Sequence, residues 1–310
     1  MSSAIETVGL SKHYGSRVAV DQLSLRIEAG QVFGFLGPNG AGKSTTIRML
    51  LALQRPTRGS ATVLGLDTTA RSVELHRRVG YLPGDLALYP RLTGRQHIDW
   101  FREARGLADD PLIGELIERF QVVVDRQVHK LSKGNRQKIG IVLAFMHRPE
   151  LLILDEPTSG LDPLVQREFG NLLRETVGEG RTVFLSSHEL DEVQRVADEI
   201  AIIKDGRLVA QDSVERLRAA SPRKLEVHFR RPVDPASLRA CPGVKVTTVD
   251  GAYVALDVIG DIGPALKLIA DDDPVDLSAR PADLDELFLS YYQPGATPHS
   301  DTLRSGSDGH

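Results

Sequence analysis

The chain has 310 residues, about two domains' worth, with 41% hydrophobic and 26% charged residues, ordinary values for a globular protein. Lys+Arg 38 against Asp+Glu 42 gives a formal charge of −4, which argues against a dedicated nucleic-acid binder, because such a protein needs a basic face to neutralise phosphate. A single cysteine, Cys241, excludes an internal disulfide framework and a cysteine-rich zinc site.

Residues 5–36 read as short strands. Val18, Val20 and Leu23 to Ile27 alternate apolar with polar, and Ala29-Gly30 punctuates the chain before the apolar run Val32–Leu36. A helix is expected over 43–53, and residues 85–147 have a mostly helical period broken at Pro90 and Pro111. Leu151–Leu154 and Thr182–Leu185 are short apolar runs, with helices expected after them at about 163–177 and 189–197. Strands alternating with helices predict a largely parallel sheet covered on both faces. The most apolar run, Ile139–Met146, is eight residues long and bracketed by Lys138 and His147-Arg148, whereas a spanning helix needs about 20 apolar residues. The start, MSSAIETVGL, shows no basic segment followed by an apolar one. The chain is therefore expected in the cytoplasm, with another chain supplying any membrane part.

The pattern breaks at Ala219–Arg223, which predicts domains at 1–220 and 221–293. In the second, Leu225, Val227 and Phe229 alternate as a strand, and Asp234-Pro235 opens a helix. Val244–Val249 and Ala252–Val258 flank Asp250-Gly251, a hairpin signal. Ile262–Ala270 reads as a helix, Val275–Ala279 as a strand and Pro281–Tyr292 as a closing helix. The order βαββαβ is the ferredoxin-like plan. Residues 294–310, rich in Gly, Ser, Pro and His, read as a disordered tail.

Gly37-Pro-Asn-Gly-Ala-Gly42-Lys43-Ser44 fits G-x-x-x-x-G-K-[ST] between an expected strand and an expected helix. Its glycines let backbone amides converge on phosphate at the positive end of a helix dipole. Lys43 is placed to reach the β- and γ-phosphates and the Ser44 hydroxyl to ligate magnesium. Asp155-Glu156 closes the apolar strand Leu151–Leu154, and open α/β sheets bind ligands at the carboxyl ends of strands. Asp155 there can hold magnesium, and Glu156 can orient and polarise an attacking water.

Between these motifs lies Leu131-Ser132-Lys133-Gly134-Asn135-Arg136-Gln137-Lys138. With this segment the chain resembles the ATP-binding subunits of ABC transporters over about residues 4–217. The resemblance implies an α/β P-loop NTPase of ABC type, with a RecA-like core, an antiparallel β subdomain and a helical subdomain, followed by the small α+β domain. It implies ATP and magnesium as ligands. Nucleotide contacts would come from Gly37, Pro38, Asn39, Gly40, Ala41, Gly42, Lys43, Ser44 and Thr45, and from Tyr14 stacked on adenine. His188 matches the histidine that contacts γ-phosphate, so Glu156, His188 and Lys43 form the implied catalytic set. Ser132 and Gly134 match the signature loop that binds the γ-phosphate held by the opposite subunit, and Asp162 lies in a loop crossing the dimer interface. The implied assembly is a homodimer with two composite sites, on the cytoplasmic face of the membrane, driving a separate transmembrane permease and binding no nucleic acid.

The second domain, Tyr81-Leu-Pro-Gly84 and the signature variant are similar to the daunorubicin- and tetronasin-type exporters, which implies drug or antibiotic efflux. Export of a lipid or other hydrophobic cargo is the alternative, and a nucleic-acid-associated ABC ATPase a further one. Against the latter, 85 residues lie between Thr45 and Leu131 without sustained heptads. Two positions depart from the family. Gly84 stands where the family has a magnesium-touching glutamine, so that either Asp85 substitutes for it, the favoured version, or the relay is weaker. Lys133 stands for the usual signature glycine and brings a positive charge near the partner's phosphate.

Overall fold

A computed structural model describes residues 3–280. In chain order the elements to the first parallel strand and its helix are β1 (Ser3–Tyr14), β2 (Arg17–Glu28), β3 (Val32–Leu36) and α1 (Lys43–Leu50). Then come β4 (Arg58–Val63), β5 (Leu66–Asp67), α2 (Ser72–Arg78), β6 (Val79–Leu82), α3 (Gly94–Ala104), α4 (Pro111–Arg119) and α5 (Lys133–Phe145). The first unit is completed by β7 (Leu151–Asp155), α6 (Pro163–Gly178), β8 (Thr182–Ser187), α7 (Leu190–Val193), β9 (Glu199–Lys204) and the edge strand β10 (Arg207–Ser213), all but its last two residues. The second contains α8 (Val214–Ala220), β11 (Arg223–Phe229), α9 (Ala236–Ala240), β12 (Val244–Asp250), β13 (Tyr253–Val258), α10 (Gly263–Asp271) and β14 (Pro274–Arg280). The chain divides between Gln211 and Asp212, ahead of α8 rather than after it as the composition break at 219–223 suggests.

The apolar runs read from the sequence are strands buried along their whole length. Every residue of β3, β7 and β8 is buried, which is how strands of a parallel sheet covered on both faces present themselves. The six-stranded sheet has the order β10-β9-β3-β8-β7-β6, and β9, β3, β8, β7 and β6 pair in parallel. Leu36 pairs with Ser187, and Asp155 with Ser186. The carboxyl ends of β3, β8 and β7 therefore stand side by side, and everything that follows them in the chain emerges at one edge.

A second, four-stranded sheet, β2-β1-β4-β5, is antiparallel and shares a core with the first. Ile5, Leu23, Leu25 and Val63 from it cluster with Phe33, Ile47, Ile153 and Phe184. The expected helical stretch 85–147 resolves into three helices. α3 opens with a capping box, Thr93 with Gln96. α4 opens at Asp110 with Pro111 in the first turn, and Ser132 caps α5. Two expectations change in extent: α1 ends at Leu50, and the helix expected over 189–197 is only Leu190–Val193.

The second unit has its own core of Leu225, Val227, Phe229, Val254, Leu256 and Val258 against Leu238, Ala265 and Ile269. Its strands are ordered β12-β13-β11-β14, all neighbours antiparallel, the ferredoxin-like arrangement. The hairpin closes at Asp250 opposite Tyr253. The closing helix expected at 281–292 and the tail at 294–310 lie outside the described residues.

Phe184 of β8 is fully buried, its ring 5.9 Å from Phe33 and 5.3 Å from Phe35. Phe184→Ala removes the centre of this cluster and is expected to cost about 3–5 kcal/mol of unfolding free energy, measurable by urea denaturation of the full chain.

Candidate functional site

The phosphate-loop sequence forms the expected strand–loop–helix, and α1 begins at Lys43. Gly42, the residue before it, adopts φ 110°, and a Cβ there would meet the Ala19 carbonyl oxygen at 2.6 Å. Only glycine satisfies both conditions. Inside the loop, the Ala41 N–H donates to the Pro38 carbonyl at 3.1 Å, and the Gly37 N–H to the Ser187 carbonyl at 3.3 Å. The loop is thus tied to the end of β8 as well as to itself.

Lys43 is buried to 6% exposure. Its Nζ donates to the Gly37 carbonyl at 2.6 Å and lies 3.3 Å from Glu156 Oε1. The other carboxylate oxygen, Oε2, is 2.7 Å from His188 Nδ1. Lys43, Glu156 and His188, which are far apart in sequence, form one line at the edge where β3, β7 and β8 end. Glu156 begins the turn after β7 with φ 49°, a left-handed conformation that costs a non-glycine residue about 1–3 kcal/mol and is concentrated at functional sites. Its N–H is fixed by the Ser186 carbonyl at 3.1 Å.

Asp155 is 4% exposed and accepts a hydrogen bond from the Ser186 hydroxyl. Ser44 lies exposed in the first turn of α1. Among the described residues no cluster of three or more His, Cys, Asp or Glu could build a protein cage for a metal. Magnesium on a nucleotide asks for less, namely one or two protein oxygens completed by phosphate and water, and Ser44 with Asp155 fits that requirement.

The remaining sequence-predicted residues fall elsewhere. Tyr14 is 44% exposed at the end of β1, with Lys12 Nζ 5.4 Å from its ring centroid and its hydroxyl donating to Gln54 at 2.7 Å. It enters the hairpin whose outgoing strand passes Gly42 at Ala19 and Val20. Ser132 accepts from the Asn135 N–H at 3.2 Å, and Asp162 accepts from the Val165 N–H at 3.0 Å, capping α5 and α6 respectively. Gly134 packs on the turn preceding α6: a Cβ there would stand 2.6 Å from the Gly160 carbonyl oxygen. Ser132, Gly134 and Asp162 therefore gather around the 159–162 turn, apart from the Lys43–Glu156–His188 line.

Gly84 faces the acid directly. A Cβ there would lie 3.4 Å from the Asp155 carboxylate carbon and from Oδ2, an ordinary contact. Asp85 borders a cavity of about 440 Å³ with Leu51, Leu53, Phe101 and Arg105. Position 84, not 85, thus has its side-chain direction toward Asp155, which reverses the preference for Asp85 drawn from the sequence.

Sequence reasoning missed several residues. Gln137, 4% exposed, donates to the Pro157 carbonyl at 2.9 Å and joins α5 to the turn after Glu156. Flanked by Asn135, Arg136 and Lys138, it does not stand out in the sequence from its polar neighbours. Ser186 and the Thr158–Glu192 hydrogen bond left no local signal. Burial pushes the Glu192 carboxyl above its usual range, the Thr158 hydrogen bond partly opposes this, and the nearby charges of Glu189 and Glu156 add to it.

Comparison with known proteins decides the family. The family model described as "ABC transporter" matches residues 20–159. The bacitracin transport ATP-binding protein BcrA of Bacillus licheniformis is 38% identical over 229 residues, 73% of this chain and 75% of that protein. The chain belongs to the ABC transporter ATP-binding family. The daunorubicin/doxorubicin resistance ATP-binding protein DrrA of Streptomyces peucetius is 39% identical over 222 residues, 70% of this chain and 67% of that protein. A solved ATP-binding subunit of an ABC transporter superposes with a TM-score of 0.63 at 30% identity, covering 69% of this chain and 92% of that one. As an ABC ATPase the chain has a substrate for its loop, ATP.

Lys43→Ala removes the buried cation of the loop and is expected to weaken ATP binding at least tenfold, measured as nucleotide affinity at fixed magnesium; unchanged affinity would count against this loop as the cradle. Gly84→Gln should be accommodated without loss of thermal stability and should raise magnesium-dependent turnover, while Asp85→Ala should leave turnover near wild type. A large loss in Asp85→Ala would restore Asp85 as the relay.

Proposed function

We propose that this chain is the ATP-hydrolysing subunit of a membrane exporter of antibiotics or drugs, acting as a homodimer on the cytoplasmic face beneath a separate transmembrane permease. The observation that carries the hydrolytic part is the line Lys43–Glu156–His188 at the carboxyl edge of the sheet, beside the buried Asp155. The export part is supported by the relatives whose names record bacitracin transport and daunorubicin resistance. Among the described residues no helix is long and apolar enough to cross a membrane, so the crossing is assigned to the permease.

In this reading ATP lies along the loop Gly37–Thr45 with its adenine toward Tyr14. Lys43 exchanges the Gly37 carbonyl for phosphate oxygens. Glu156 accepts the proton of the attacking water, and His188, hydrogen-bonded to Glu156, keeps the carboxylate turned toward it. Ser44 and Asp155 would hold magnesium, which when bound would supply charge neutralisation on the phosphates. Ser132 and Gly134 of one copy present the start of α5 to the γ-phosphate of the other, where a helix N-terminus favours an anion. Closure of two copies on two nucleotides, and reopening after hydrolysis, would work the permease.

Glu156→Gln tests the hydrolytic part. Turnover should fall by about 10²–10⁴-fold, the usual worth of a general base, with ATP still bound and the dimer accumulating in size measurements with ATP and magnesium. Wild-type turnover would remove Glu156 from its role. Expressed with its permease in a sensitive host, the wild-type chain should raise the inhibitory concentration of an exported antibiotic several-fold, and Glu156→Gln should not. A screen in which no antibiotic is affected would redirect the cargo toward lipids.

A further inference from the structure

The start of α5 is fastened to the turn between β7 and α6 at three points. Gly134 approaches the Gly160 carbonyl so closely that a Cβ would stand 2.6 Å from it. Gln137 donates to the Pro157 carbonyl at 2.9 Å. The third fastening is Lys133, where the family carries glycine. Its stem lies over Gly160, with Cδ 3.2 Å and Cγ 3.4 Å from where a Cβ on that glycine would be, and its Nζ donates to Ser159 Oγ at 2.8 Å. The ammonium that the sequence alone assigns to the partner's phosphate is thus engaged within its own chain.

The turn so gripped runs from Glu156, in its left-handed conformation, to Asp162 at the cap of α6. Its backbone closes on itself through the Ser159 N–H donating to the Glu156 carbonyl at 3.3 Å, and the Leu161 N–H to the Thr158 carbonyl at 3.0 Å. Ser159 is therefore one hydrogen bond away from the main chain of Glu156. Glu156 is thus held on both sides of its Cα, its N–H by the Ser186 carbonyl of β8 and its carbonyl by the Ser159 N–H of the turn.

We propose that Lys133 is a positioning residue for ATP hydrolysis: by holding Ser159 it fixes the 156–162 turn against the start of α5 and so aims Glu156. The proposal rests on Glu156 being the base. Glycine at 133 would offer neither the stem over Gly160 nor the donor to Ser159, so the lysine itself makes the side-chain link between the signature segment and the 156–162 turn. Because the lysine is exposed, the link contributes little to global stability, and its loss should show in turnover rather than in unfolding.

The test is steady-state ATPase activity of the full chain, with thermal unfolding measured alongside. Lys133→Met keeps the stem and removes the donor; Ser159→Ala removes the acceptor; Lys133→Arg restores a donor. Each of the first two should lower kcat about three- to tenfold with KM and Tm unchanged, their double variant should be no worse than either alone, and Lys133→Arg should recover most of the loss. Multiplicative losses in the double variant would overturn the link. So would a silent Ser159→Ala beside a Lys133→Met that binds ATP or dimerises more weakly, since the ammonium would then be a phosphate ligand of the second copy. A matching fall in Tm would reduce Lys133 to a structural role and equally overturn the proposal. Glu156→Gln in the same assay separates the two readings: retained turnover there would remove the base itself, whatever Lys133 does.

Discussion

Strand β8 hydrogen-bonded in parallel between β3 and β7 is the constraint on which the rest depends. A parallel neighbour brings like ends together, so the phosphate loop, the acidic pair and His188 reach one edge although they lie as far apart as residues 37 and 188. The pairing is secured from below by aromatic packing of Phe33, Phe35 and Phe184 and from the edge by Gly37 and Glu156, whose N–H groups donate to the carbonyls of Ser187 and Ser186. Both loops hang on consecutive carbonyls of one strand, so the position of β8 sets where Glu156 stands relative to the phosphate loop and Lys43.

Around that edge the charges are arranged so that each has a partner. Lys43 meets Glu156, Glu156 meets His188, and Asp155 is held by Ser186. A buried ammonium without such partners would be costly. The same economy operates in the 156–162 turn, where side chains from α5, α6 and α7 converge: Gln137 and Lys133 from one side, Gln166 and Glu192 with Thr158 from the other. The turn that follows Glu156 is therefore held by three helices as well as by its own backbone.

What could be read from the sequence was what is contiguous. The phosphate loop carries its glycines, lysine and serine in eight consecutive residues, and Asp155-Glu156 follows its strand directly, so spacing alone identifies both. The second unit was legible for a related reason: β11 and β13 alternate cleanly between buried and outward residues. Residues 54–84 were opaque because β4 and β5 are mixed in polarity and β6 is only four residues long. Gln137 and Ser186 were opaque because their partners lie 20 and 31 residues away. Asp162 and Ser132 show the converse limit. Their motif matches implied an interface, while within the chain both act as helix caps, a role that their residue types equally predict.

The hydrogen bond from Lys43 to the Gly37 carbonyl, together with its pairing to Glu156, makes the lysine an exchangeable counterion. Phosphate can claim the ammonium only by displacing a carbonyl and loosening a carboxylate, so part of the intrinsic attraction is consumed in the exchange and the measured affinity reports a difference between two sets of contacts.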